Sequence, residues 1–375
     1  MEVIIVGGGV IGLAVARALS ERGIKRIVVL ERAEPGAEAS HAAGGMLAAQ
    51  AEANRPDSLF ELCVSSRELY PALATNLRKE TGIDIQLERT GTLYLAFSES
   101  DEEEAERRYQ WQTDAGLVVE RLTRNEVLKI EPSISPGVLS ALRFPLDVQV
   151  DNRRLIFALI SSLAKRQIQI RTRTHVKSIS IENSRITGVE TELEEIKAPV
   201  IVLANGAWSS FLTDSDSRIP PVRIEPVRGQ MLCFKRNGPL QHVLYSPRGY
   251  VIPRLNGRIL VGSTSEHAGF HKDVTGEGIH SMMTNALEIA PQLIRDAQLV
   301  DSWAGLRPHS EDGLPVLGAC PKIKGLFYAT GHYRNGILLA PVSGELIADE
   351  ITTGMAQARA SAFSPNRFQP VELNK

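Results

Sequence analysis

Residues 2–12 read Glu2-Val-Ile-Ile-Val-Gly-Gly-Gly-Val-Ile-Gly12. An apolar strand, Val3 to Val6, runs directly into Gly7-x-Gly9-x-x-Gly12. A helical pattern follows through Leu13, Val15, Ala16 and Leu19, and a second apolar run, Ile27 to Leu30, ends in Glu31. Strand, glycine turn, helix, strand and acid in this order form a dinucleotide-binding βαβ unit. Gly7 permits the tight turn, Gly9 lets the backbone approach a pyrophosphate, and Gly12 lets helix and strand pack closely. The helix start offers unpaired N–H groups and partial positive charge to the phosphates. Glu31 stands where a ribose hydroxyl would donate to it. The turn by itself does not say which dinucleotide is bound.

The chain has 375 residues, room for about two structural units. Hydrophobic residues make up 43% and charged residues 23%, an ordinary balance for a globular enzyme. A net charge of −2 supplies no basic field for nucleic acid. Cys63, Cys233 and Cys320 lie far apart and fit neither a metal nor a redox spacing, so reduced thiols are expected. The apolar stretch from Val3 to Ala16 is interrupted by three glycines, lacks a basic flank and ends at Arg17. It therefore reads as buried strand and helix rather than as a signal or a membrane span, and a cytoplasmic protein without an integral membrane segment is expected.

Farther along, 37–54 is rich in Ala and Gly, suited to a loop lying close to a large planar ligand. Apolar spacing predicts a helix over 58–81 and a pair of strands over 85–97; the charge run within 99–116 reads as a solvated helix face. Asp151 caps an expected helix to Arg166, followed by strands at 168–172, 176–181 and 186–191. Val200 to Leu203 is a buried parallel-type strand, and 222–265 alternates as antiparallel strands. A helix is expected over 276–297, a buried strand over 325–331 and a last helix from Gly336 to Thr353. Strand–glycine–helix units thus recur near the start, near 200 and near 330. The expected class is α/β (α+β overall): a Rossmann-type dinucleotide-binding domain (FAD-binding, by the family resemblance set out next) with an inserted antiparallel-sheet substrate domain. Its expected segments are 1–84, 147–221 and 299–375 for the former and 85–146 and 222–298 for the latter.

Six stretches carry a family resemblance: Gly7 to Gly12 with Glu31-Arg32; Ser40-His-Ala-Ala-Gly-Gly-Met-Leu47; Ala204-Asn-Gly-Ala-Trp208; Pro226-Val-Arg-Gly-Gln230; Trp303-Ala-Gly-Leu-Arg-Pro308; and Gly331-His-Tyr-Arg-Asn-Gly-Ile-Leu-Leu-Ala-Pro341. Over essentially its whole length the chain resembles the D-amino acid oxidase family of FAD-dependent amine oxidases, and within it the glycine oxidases of thiazole (thiamine) biosynthesis. The resemblance implies an enzyme that oxidises glycine, with sarcosine and small D-amino acids, by hydride transfer to flavin N5. Reoxidation by O2 gives H2O2, and the imine or glyoxylate serves thiazole synthesis. It also implies noncovalent FAD, a homotetramer and a functional link to thiazole synthase. Cys320, in Leu317-Gly-Ala-Cys-Pro321, does not resemble the flavin-attachment motif of related sarcosine oxidases.

By the same resemblance FAD is contacted by Val10, Ile11, Glu31, Arg32, Ala39, Ser40, Gly44, Gly45, Met46, Val176 and the run His332, Tyr333, Arg334, Asn335, Gly336, Ile337 and Leu338. Asn335-Gly336 precedes an apolar helical run, so a helix start is expected to point at the flavin and stabilise negative charge near its N1. Oxidation of an amino acid is chiefly a matter of orientation, so no separate catalytic acid or base is expected. A bidentate arginine suits a carboxylate, and Arg307 matches the family's carboxylate anchor. Tyr250 matches a supporting tyrosine and Arg334 a second substrate-side arginine, while Ser265 matches a pocket position held by a bulky apolar residue in some glycine oxidases. Two alternatives share the fold: a D-amino acid dehydrogenase with a different electron acceptor, and a tRNA-modification flavin module, for which the chain carries neither a fused methyltransferase nor a basic face.

Overall fold

In the computed structural model, which describes residues 2–212, 222–235 and 238–368, the strand Glu2–Val6 lies at the centre of a six-stranded sheet. Val3, Ile4, Ile5 and Val6 are all buried, which only a strand covered on both faces requires. Alternation then sorts them. Val3 and Ile5 face a layer of helices, whereas Ile4 and Val6 face a smaller three-stranded sheet. The helical layer comprises Val10–Glu21, Ser58–Thr81, Asn152–Lys165 and Gly336–Thr353. The central sheet runs in the order Val316–Ala319, Leu326–Thr330, Val200–Leu203, Glu2–Val6, Arg26–Leu30, Gln169–Arg171, parallel except at its first pair. Strands distant in sequence therefore meet, and the carboxyl ends of Glu2–Val6 and Val200–Leu203 open side by side.

The second sheet has eight strands, ordered Leu299–Ser310, Ile224–Lys235, Arg258–Gly262, Gly249–Pro253, Val243–Ser246, Thr92–Ala96, Ser140–Phe144, Glu120–Thr123. Together the two sheets form an α/β dinucleotide-binding unit with an inserted second sheet. Several boundaries differ from expectation. Leu299–Ser310 pairs along its length with Ile224–Lys235, so this strand belongs to the second sheet and the division at 299 moves beyond Ser310. The division at 221/222 falls next to residues outside those described. The second sheet is antiparallel except where Val243–Ser246 meets Thr92–Ala96 in parallel, the junction between its two chain excursions. Only Thr92–Ala96 forms a strand within 85–97, because Gln86 (φ 55°) and Gly91 (φ 87°) turn the preceding backbone away from extended geometry. The helix expected over 276–297 stops at Ile289 and resumes at Pro291–Ile294. Pro291 disfavours helical geometry at Ala290, whose ψ is 68°.

Candidate active site

A long cleft runs between the two sheets. Gly7, Gly9 and Glu31 line one end, and Tyr250, Arg307 and Arg334 line the other. At the first end the chain turns at Gly7 (φ 109°), where a Cβ would lie 2.4 Å from the Ala204 carbonyl oxygen. A Cβ on Gly12 would lie 2.0 Å from the Gly7 oxygen, so Gly12 packs helix on turn and does not itself line the cleft. Gly9 differs from both: a Cβ there would meet only Ser40 Oγ, at 3.3 Å, and would project towards the cleft. The Val10 amide donates to Ser40 Oγ at 3.0 Å. Glu31 is buried and accepts from the amides of Gly8 (2.8 Å) and Ala33 (2.9 Å), which fixes its carboxylate at the cleft wall. Arg32 stacks 3.7 Å above the Trp208 ring and pairs with Glu38 at 2.8 Å. A backbone floor open at Gly9, beside a helix start and a fixed carboxylate, fits a dinucleotide.

The middle of the cleft is floored by small residues. Ala39–Ala42 makes one helical turn, and the chain then passes through Gly44 and Gly45 (φ 72°) to Met46. Arg254, buried beneath, donates to the carbonyls of Gly44 and Val150, the latter at 3.0 Å. Ala39, Ser40, Gly44, Gly45, Met46 and Val176 all line the cleft.

The helix Gly336–Thr353 points its start at the cleft, with Gly336 and Ile337 in the lining. Pro341 has no N–H to offer the Ile337 carbonyl four residues earlier. The Tyr70 hydroxyl donates to that oxygen instead, and Ser66 Oγ donates to the Leu338 carbonyl at 2.6 Å. The helix start is thus held in place by Ser58–Thr81. Asn335 and Leu338 lie outside the lining; Leu338 is buried in the helical layer. His332 lines the cleft, is almost wholly buried, and shares a 2.9 Å hydrogen bond with Ser343 Oγ. Burial pushes its imidazole down to about 3, so the ring is neutral.

At the other end, strand register places the side chains. Arg307 stands opposite Val227, and Gly305 stands opposite Gly229. The Arg307 guanidinium leans diagonally across Gly229, where a Cβ would come within 2.4 Å of its Cζ. It donates to the Thr264 carbonyl (3.1 Å) and to Ser263 Oγ (2.7 Å) and pairs with no carboxylate among the described residues. Tyr250 stands opposite Gly262 in the next strands. A Cβ on Gly262 would press into the Tyr250 ring at 2.7 Å, and the Tyr250 hydroxyl reaches Met231 Sδ at 3.3 Å. Each functional side chain therefore lies over a glycine of a neighbouring strand. Ser265 does not line the cleft. Its hydroxyl lies 3.4 Å from that of Tyr333, a lining residue, and Ser263 lines the cleft beside Arg307. Burial would raise the Tyr333 phenol, but Ser265, Arg334 and Arg307 outweigh it and hold the group below its ordinary value.

Glu52 also lines this end, a residue that the composition of 37–54 hid within a run of small side chains. The available signal was an acid near the end of a stretch otherwise suited to close packing, the second acid in it after Glu38. Cys320 is buried and lies outside the cleft lining.

Comparison with known proteins agrees with this geometry. The family model described as FAD dependent oxidoreductase matches residues 2–350. The chain is 38% identical over 370 residues to a glycine oxidase of Geobacillus kaustophilus, covering 98% of this chain and 97% of that protein. A crystal structure of glycine oxidase from the same organism superposes with a TM-score of 0.91 at 36% identity, covering 97% of each chain. A Bifunctional protein ThiO/ThiG of Synechocystis is 34% identical over 373 residues, covering 98% of this chain and 54% of that longer protein.

Proposed function

Since the chain belongs to the family of FAD-dependent oxidoreductases, we propose that it is a glycine oxidase that also accepts sarcosine and small D-amino acids. In this reading FAD is bound noncovalently, and O2 takes the two electrons to give H2O2. Glycine loses one C–H hydride equivalent and one N–H proton, and the imine hydrolyses to glyoxylate and ammonia. When bound, FAD supplies the two-electron acceptor. Gly9, the Val10–Glu21 helix start and Glu31 would hold its pyrophosphate and ribose, while the Gly336–Thr353 helix start would face the flavin end.

One observation carries the reading. Arg307 reaches the cleft with no carboxylate partner among the described residues, beside a tyrosine whose only hydrogen bond there is to a thioether. A half-buried guanidinium facing a cleft without a counter-charge has no evident stabilising role by itself, but it complements a substrate carboxylate. Arg307 and Tyr250 would fix the carboxylate, so that the α-carbon is presented to the cofactor in one orientation. The ThiO/ThiG relative, of which this chain spans about half, supports a supply role for thiazole formation, with a thiazole synthase as functional partner. A cytoplasmic homotetramer belongs to the same reading, and light scattering on the purified protein tests the assembly.

Anaerobic addition of glycine to the purified flavoprotein is the decisive test. The flavin absorbance bleaches, and readmitted O2 restores it with one H2O2 per turnover. A flavin left oxidised by glycine, sarcosine and small D-amino acids alike overturns the reading. Reduction without reoxidation by O2 would instead mark a dehydrogenase.

A further inference from the structure

We propose that the Glu52 carboxylate receives the ammonium group of the substrate and accepts one of its protons, so that the amine is neutral when its α-C–H is oxidised. The inference rests on the amino acid oxidase reading above and assigns a residue to a step that Arg307, Tyr250 and Arg334 cannot perform.

The geometry singles out this carboxylate. Glu31, Glu38 and Glu52 are the acids of the cleft lining. Glu31 is held by two backbone amides, and Glu38 by Arg32 and Lys272. Among the described residues no donor reaches the Glu52 carboxyl, although Glu52 shares the cleft end with Arg307, Arg334 and Tyr250. A zwitterion whose carboxylate is taken by guanidinium groups leaves its ammonium in an unfavourable field unless an anion stands nearby. Glu52 supplies that anion.

The loop carrying it is fixed from both sides. Fully buried Asp147 accepts from the amides of Gln50 (3.0 Å) and Ala51 (2.8 Å) and pairs with Arg67 at 2.8 Å. Arg108 donates to the carbonyls of Ala51 (2.9 Å) and Ala53 (2.6 Å). Two buried ionic groups thus fix the backbone flanking a side chain that makes no hydrogen bond of its own among the described residues, an arrangement suited to preorganised binding.

The charges acting on Glu52 are known from every neighbouring element. Burial raises its carboxyl above the ordinary range, Arg334, Arg307 and Arg108 draw it down, and Asp147 raises it further. Tyr245 and Cys63, which also sense it, are kept protonated by burial. The outcome is a carboxylate of increased basicity, the condition for accepting a proton near neutral pH. One N–H proton passes to a Glu52 oxygen, the amine keeps its lone pair, and the neutral acid returns the proton to water after product leaves.

The test compares FAD-loaded wild type, Glu52→Gln and Glu52→Asp. Glycine reduction of the flavin is measured anaerobically across pH, and acetate, a carboxylate without an ammonium, is titrated by its effect on the flavin spectrum. In Glu52→Gln, reduction near neutral pH should slow about 100-fold and recover as pH rises and the free amine becomes neutral by itself. Acetate affinity should hold or rise and not fall, since removing a carboxylate cannot weaken an anion's binding by charge. Glu52→Asp should restore part of the neutral-pH rate. Unchanged reduction in Glu52→Gln overturns the proposal, and so does a parallel loss of acetate binding, which marks a structural role. Wild type that no amino acid reduces would instead overturn the oxidase reading, and the inference with it.

Discussion

The two ends of the cleft recognise by different means. The Gly7–Glu31 end works with backbone: a helix start, a glycine turn and a carboxylate locked onto two amides. The Arg307–Tyr250 end works with side chains laid over glycines of adjacent strands. Backbone recognition tolerates almost no substitution: Gly7 and Gly12 are hemmed in by backbone atoms, and Gly9 opens onto the space a cofactor would take. Side-chain recognition is modular, because a functional group can be trimmed while its strand stays paired. The two ends should therefore fail differently under mutation: one by losing the fold or the cofactor, the other by losing substrate while the protein stays yellow.

The sharpest break in that contrast lies inside the glycine turn. Gly12→Val should yield no folded protein, because its Cβ would lie 2.0 Å from the Gly7 oxygen. Gly9→Val should fold, because its Cβ meets only Ser40 Oγ at 3.3 Å, yet bind no FAD. Circular dichroism together with the flavin-to-protein ratio separates the two outcomes. A Gly9→Val protein carrying full flavin would show that the cradle lies elsewhere.

Next in size is Arg307→Ala. Removing one partner of a hydrogen-bonded charge pair closed off from water costs about 2–5 kcal/mol, roughly 30- to 5,000-fold in kcat/KM for glycine. FAD content should be unchanged, because among the described residues Arg307 bonds only the Ser263–Thr264 segment and the Arg228 carbonyl. Arg307→Lys should recover little, since an ammonium cannot present two parallel donors. Steady-state kinetics that match wild type would remove the carboxylate role. Tyr250→Phe is the milder form of the same test. Among the described residues its hydroxyl bonds only to Met231 Sδ, a weak acceptor, so the O–H can turn to a substrate carboxylate. Loss of one hydrogen bond to a charged group costs about 1.5–3 kcal/mol, seen as a raised KM for glycine, while the ring keeps its place over Gly262.

This contrast also decides what could be read from the chain. The turn at Gly7–Gly12 was legible because backbone recognition imposes a residue type at each position, and a glycine cannot be mistaken for anything else. Arg307 and Arg334 were legible only through long motifs, since a lone arginine has many roles. Ser263 lines the cleft and Ser265 reaches only lining Tyr333; which of the consecutive residues Ser263, Thr264 and Ser265 faces the cleft is set by how the chain leaves the Arg258–Gly262 strand, which a match in sequence does not give. The strand Leu299–Ser310 was given to the wrong sheet because its partner, Ile224–Lys235, lies some seventy residues earlier and local pattern carries no pairing information. Glu52 escaped notice because its significance lies in what does not touch it.

The smallest effect concerns His332, which sits where the two kinds of recognition meet. Burial holds its folded-state value at about 3, against about 6.5 in the unfolded chain. A depressed histidine stabilises the fold fully above the unfolded value. As pH falls below about 6.5 the unfolded chain takes up a proton that the folded chain refuses, so this stability is lost progressively down to about pH 3. Between about pH 7 and pH 5.5, above the range where most carboxylates titrate, the loss should be about 1.2 kcal/mol. Chemical unfolding of the apoprotein reads it without the cofactor's own binding contributing. His332→Gln keeps a partner for Ser343, which now bonds the ring at 2.9 Å, and should flatten this part of the profile even if it lowers stability throughout. His41, also lowered by burial, adds the same slope to both proteins and cancels in the difference. A slope that survives the substitution would show that His332 is hydrated in solution. Water would then reach the ring from the cleft that His332 lines, beside the helix start whose Ile337 and Leu338 carbonyls Tyr70 and Ser66 hold.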